Sequence, residues 1–188
     1  IPATVMILYS GLRNNIGDTV YYVHTYHLLE EADLAMPSLR QESYLFALLQ
    51  YLLIKFGFEY SAFIMISSIA AILPMIWLMY NYSADYSISV FLLFTMGIYV
   101  STMNGIRQYI ATGIIVLGSR YLFSEKKTDF WKFILLIFIA TLIHTSAFFL
   151  IPLYFLCRRK AWSAPAMISI IIGVTGLIFV SMFLPSFL

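Results

Sequence analysis

Two ionisable residues stand in surroundings that are otherwise almost wholly apolar. They are Arg107 in NGIRQYIATGIIVLGSRYL and His144 in ATLIHTSAFFLIPLYF. An ionisable group inside a membrane segment costs at least roughly 2.5–3.5 kcal/mol even on a lenient insertion scale, so such residues mark function by default. Arginine offers a permanent charge on a planar fork that holds phosphate or carboxylate oxygens in pairs. Histidine titrates near neutrality, which suits it to general acid or base work or to a phosphate contact. Each has a plainer reading: Arg107 as a side chain reaching to lipid phosphates at the interface, and His144 as a core histidine satisfied by Thr141, Thr145 or a backbone carbonyl. Gln108 is either a hydrogen-bonding partner of its neighbour or a bystander.

A second group lies near the front of the chain: Arg13, Asp18, Tyr21, Tyr22, His24, Tyr26 and His27. Asp18 is placed either to cap a helix running through Tyr22–Leu28 or to act as a base or sugar contact. The tyrosines suit an aromatic belt at a membrane edge, or platforms on which sugar rings stack. His24 and His27 share a helix face, but a metal would need a third ligand from elsewhere, so no metal site is expected.

The elements that must position these residues are apolar. Of 188 residues, 62% are hydrophobic and 11% charged, with mean hydropathy +0.89. Soluble domains carry about 25% charged residues, and the chain reads as an all-α, polytopic integral membrane protein forming a single transmembrane domain over 1–188. It starts at Ile1 and stops within an apolar run at Leu188, which reads as a piece of a longer protein. The net charge of +2 lacks any basic, aromatic-interleaved patch for nucleic acid, and the single Cys157 excludes an intrachain disulfide or a cysteine-rich metal site.

Along the chain, Ile1–Tyr9 reads as the end of a helix. Residues 11–42 form the most polar stretch, with two arginines against five acids, and this loop is expected outside the cell because cytoplasmic loops collect Lys and Arg. Residues 43–58 are apolar but short, as an interfacial or re-entrant helix would be. Spans are expected over Tyr60–Tyr80 (with Pro74 as a tolerated kink), Ser87–Met103, Ile106–Phe123 and Ala164–Leu184, the last ended by Pro185. The face of the third that carries Arg107 continues with Ala111, Ile114 and Gly118, Gly113 lying nearby, and such small residues point it into the bundle.

Phe130–Cys157 is one apolar run flanked by basic clusters at both ends: Arg120, Lys126 and Lys127 before it with Lys132 at its start, Arg158, Arg159 and Lys160 after it. Either one cluster is external, against the charge rule, or the run breaks near His144-Thr145-Ser146 into two limbs that enter and leave on the cytoplasmic side. The broken form satisfies more constraints. It sends His144, Arg107 and the Asn104-Gly105 turn toward the external face.

GLRNNIGDTVYYVHTY, NGIRQYIATGIIVLGSRYLFSEKK and LIHTSAFFLIPLYFL, in that order and with those gaps, resemble the motifs of the EpsG-type family of exopolysaccharide and O-antigen polymerases, the Wzy-like bacterial membrane glycosyltransferases. Thr145 stands where proline is common after the histidine. The resemblance implies polymerisation of undecaprenyl-diphosphate-linked oligosaccharide units on the outer face of the cytoplasmic membrane. By position, Arg13 and Arg107, with Gln108, would hold diphosphate oxygens. His144 would contact them or take the acceptor's proton, and Asp18 is a second candidate base. It implies no cofactor, and as partners the lipid-linked unit, membrane lipids and other polysaccharide-assembly proteins. The main alternative is a transporter or flippase anchoring an anionic lipid-linked glycan or solute on Arg107, although no inverted repeat is visible. An intramembrane protease would need a serine motif beside His144, and a purely structural subunit would not place ionisable residues in two apolar segments.

Overall fold

The computed structural model describes residues 2–31, 44–122, 124, 126–160 and 162–183. The larger part of the polar loop, including Asp33, Arg40 and Glu42, lies outside them, as do Ser43 and the expected stop at Pro185. Every regular element among the described residues is a helix: α1 (Pro2–Gly11), α2 (Thr19–Glu31), α3 (Tyr44–Lys55), α4 (Tyr60–Tyr82), α5 (Tyr86–Thr95), α6 (Ile98–Ser101), α7 (Ile106–Leu122), α8 (Thr128–Thr141), a 3-10 helix (Thr145–Leu150), α9 (Ile151–Cys157) and α10 (Ala164–Phe183). The all-α class read from the sequence holds.

The frame is α4, α7 and α8, with α1 on the other side of α4. Among the described residues α4 is the helix both long and apolar enough to cross a membrane, in the place of the first expected span. Its Pro74 lacks the N–H that would bond the carbonyl four residues back, at Ala70. Gly113 of α7 comes against that same carbonyl, and a Cβ there would run into the Ala70 oxygen. A missing side chain thus lets α7 lie directly on the turn of α4 before Pro74. Gly118 approaches Phe133 and Leu136 of α8 in the same way, and Ala111 is buried. The small-residue face of α7 therefore looks into the bundle, as its sequence implied.

The expected Ser87–Met103 span is two pieces. Asp85 caps α5, accepting from the Ile88 N–H at 3.0 Å, but Gly97 turns left-handed (φ 73°) and ends it after ten residues. At 1.5 Å per residue α5 is about 15 Å long, half a hydrocarbon core. The Gly97 turn, unremarked in the sequence, decides this.

The Phe130–Cys157 run is broken, at the point the basic clusters required. After α8 the backbone turns at Leu142–Ile143, His144 is extended (φ −147°, ψ 112°), and a 3-10 helix leads into α9, where Pro152 occupies an opening position that needs no N–H. The two limbs fold back on each other. Phe130 meets Tyr154 with ring centroids 4.9 Å apart, and Arg158 donates to the Ser124 carbonyl, so the basic ends of the limbs lie together. The residues of α3 number twelve, too few for a crossing.

Candidate functional site

Arg107 sits in the first turn of α7, which starts from the left-handed Gly105 (φ 61°) of the Asn104-Gly105 turn. The side chain is half-buried, and its guanidinium carbon lies 5.7 Å from the ring centroid of Phe46. Phe46 is delivered by α3, whose placement follows from an orphan carbonyl. The end of α8 leaves Leu142 C=O without a helical partner, and the Leu45 N–H donates to it at 2.9 Å. Phe46 itself is fully buried between Tyr22 of α2 and Phe63 of α4. The cation therefore rests on an aromatic floor, a contact of roughly 0.5–2 kcal/mol depending on solvation.

His144 occupies the break after α8, half-buried, within reach of the positive charge of Arg107. Its neighbours Ile143 and Ala147 belong to the same buried cluster as Tyr22, Phe46, Phe63 and Ile106, which lies under this end of the bundle. Its backbone is tied on both sides: its N–H donates to Ala140 O at 2.8 Å, and its carbonyl accepts from Ala147 N at 3.0 Å. The imidazole is thus carried by a fixed backbone kink. Gln108, next to Arg107, is exposed.

Asp18 joins the same end by an unexpected route. It stands immediately before α2, but its side chain accepts from the Gly105 N–H, 2.7 Å away, at the start of α7. A carboxylate there also complements the positive end of the α7 dipole. Gly17 makes the approach possible: it is left-handed (φ 60°), and a Cβ on it would collide with the Asn104 side chain. The loop before α2 is locked onto the turn before α7.

Arg13 goes elsewhere. It is 5% exposed, and its Nη1 donates to Ser10 O, Ser10 Oγ and Ser68 Oγ at 2.5, 2.8 and 2.9 Å, while Nε donates to Thr19 Oγ1 at 2.8 Å. Burial lowers its pKa, with Tyr99 opposing, yet a guanidinium stays protonated in proteins. These bonds fasten the α1 end and the start of α2 to α4. The structure thus brings Asp18, Arg107, Gln108 and His144 to one end of the bundle, with Arg13 in the α1–α4 seam. His27 pairs with Glu30 at 3.3 Å and lies edge-on to Tyr60, while His24 is exposed.

The sequence drew no attention to Phe46 or the Ser68 acceptor. Ser68 carried a signal, since Ser67-Ser68 interrupts an apolar span; Phe46 carried none, being one apolar residue among many. Chemically, the arrangement offers a fixed cation, a titratable ring and a carboxylate around one helix start, which suits an anionic group and the movement of a proton.

Neither the comparison with curated proteins nor that with solved structures returns a match. A family model does match, over residues 1–188. The chain belongs to the EpsG family, and with it to the membrane proteins of polysaccharide synthesis.

Proposed function

We propose that the chain is the core of a polytopic bacterial membrane glycosyltransferase that joins undecaprenyl-diphosphate-linked oligosaccharide units into a surface polysaccharide at the outer face of the cytoplasmic membrane. One arrangement supports this above all. Asp18, Arg107, Gln108 and His144 share one end of the antiparallel α7–α8 pair, and Lys126, Lys127 and Lys132 with Arg158–Lys160 share the other. The 17 residues of α7 separate the two ends by about 25 Å, close to a hydrocarbon thickness. Basic loops stay in the cytoplasm, so the site faces out.

In the reaction, an acceptor hydroxyl of one lipid-linked unit attacks the anomeric carbon of the growing chain. The new C–O bond forms as the bond to the diphosphate breaks, and undecaprenyl diphosphate leaves with the electron pair. Arg107 and Gln108 hold the diphosphate oxygens and stabilise the charge that gathers there, most strongly where water is excluded. His144 takes the acceptor proton. Asp18 holds the Gly105 turn from which Arg107 projects, and Arg13, buried against neutral oxygens, keeps the preceding loop in place.

The test is chain lengthening by full-length protein in membranes supplied with lipid-linked repeat units. Wild type is expected to give a ladder, and Arg107→Ala and His144→Ala at equal abundance to reduce it by at least about 100-fold, the usual scale for loss of general-base or charge stabilisation. Variants that polymerise normally would remove these residues from the site. Wild type that moves the lipid-linked unit across the bilayer without joining two would make the protein a transporter.

A further inference from the structure

At the end of the bundle away from Arg107, the two limbs of the broken run enclose a cleft of about 570 Å³ lined by Lys127 and Phe130 from one limb and Tyr154, Phe155, Arg158 and Arg159 from the other. Its floor is aromatic: Phe130 meets Tyr154 and Phe155 with ring centroids 4.9 and 5.8 Å apart. Its rim is cationic. The Arg158 guanidinium lies 5.0 Å from the Tyr154 ring centroid and donates one N–H to the Ser124 carbonyl, which fixes it while leaving its other donors. Among the described residues, no acid answers the charge of this rim. Asp129 is spoken for by Lys132 at 2.8 Å and Ser124 at 2.5 Å. Over residues 120–132 and 158–160 the sequence holds seven basic residues (Arg120, Lys126, Lys127, Lys132, Arg158, Arg159, Lys160) against Glu125 and Asp129, a net of +5.

Loop orientation alone asks only for basic residues near this end. It does not ask for three of them on two separate limbs around one aromatic-floored cleft. We infer that this cleft is a binding site for the phosphate headgroup of an anionic membrane phospholipid from the cytoplasmic leaflet. Lys127, Arg158 and Arg159 take the phosphate, and Phe130 and Phe155 lie against the glycerol and the upper acyl chain. Basic pockets at the membrane–cytoplasm boundary suit such headgroups, each cation contributing about fivefold to affinity. The lipid ties α8 to α9, the two limbs whose far junction carries His144. This inference rests on the orientation proposed above but not on the reaction.

The experiment is native mass spectrometry of the full-length detergent-solubilised protein titrated with phosphatidylglycerol, phosphatidylcholine or inorganic phosphate. Phosphatidylglycerol is expected to bind at least about tenfold more tightly than phosphatidylcholine. Arg158→Gln with Arg159→Gln should weaken it about 25-fold, and Lys127→Gln, on the other limb, about fivefold. His144→Ala should bind as wild type, which separates this site from the polymerase site. Equal retention of the two lipids, or an unchanged preference in folded Lys127→Gln and Arg158→Gln/Arg159→Gln proteins, overturns the inference. Inorganic phosphate saturating the cleft at micromolar concentration and displacing the lipid overturns it in favour of a soluble phosphate ligand.

Discussion

At the residue scale, the carboxylate of Asp18 separates two jobs that its sequence position left together. Its side chain accepts from the Gly105 N–H and therefore needs only an acceptor oxygen there. Asp18→Asn keeps such an oxygen but cannot take a proton, while Asp18→Ala keeps neither. Holding the turn predicts that the Asn variant retains most of the chain-lengthening rate and that the Ala variant loses it, with about 0.5–1.5 kcal/mol of stability, the usual net worth of a hydrogen bond that water can replace. Lengthening kinetics alongside thermal unfolding in detergent checks both halves; an inactive Asn variant with wild-type stability would make Asp18 the base. Arg107→Lys offers a parallel reading. A lysine keeps the charge but not the fork, and it rests less well on the Phe46 ring. The expected result is a rate between wild type and Arg107→Ala.

At the scale of elements, the site depends on a contact at the middle of the bundle, where α7 lies on the turn of α4 before Pro74. Adding one methyl at Gly113 drives it into the Ala70 carbonyl, and backbone cannot yield as a flexible side chain would. Gly113→Ala should lower stability by about 1–3 kcal/mol, the range for overpacking, seen as a lower midpoint on thermal or denaturant unfolding in detergent. The same substitution at Gly97, where an added Cβ meets nothing, touches only the left-handed turn between α5 and α6. Arg13 belongs to this scale as well, because its partners lie on α1, α2 and α4. Arg13→Ala strands the acceptors Ser10, Ser68 and Thr19 in a buried seam. Its expected signature is reduced yield and a lower unfolding midpoint, with the surviving folded protein still extending chains. A fully stable but inactive Arg13→Ala protein would return Arg13 to the diphosphate.

For the whole molecule, the prediction concerns sidedness. The broken run places Cys157, the single cysteine of the sequence and an exposed one, beside Arg158 at the basic end. A membrane-impermeant maleimide should therefore label Cys157 in inside-out vesicles and spare it in intact spheroplasts, and the reverse pattern would place the basic end outside. The sequence by itself determined the helical class, the α4 span, the inward face of α7 and, through two basic clusters flanking one apolar run, the need for a break near His144. These follow from composition, small-residue spacing and charge, which are properties of chain segments. The tertiary structure decided what depends on distant residues meeting: that a glycine splits the span before Met103, that the Asp18 side chain reaches α7 while its carbonyl starts α2, that Phe46 underlies Arg107, and that Arg13 is fastened in a seam. A hydrogen bond between residues 18 and 105, or a ring from α3 beneath a cation on α7, leaves no periodicity in the sequence, because its partners come together only when the helices dock.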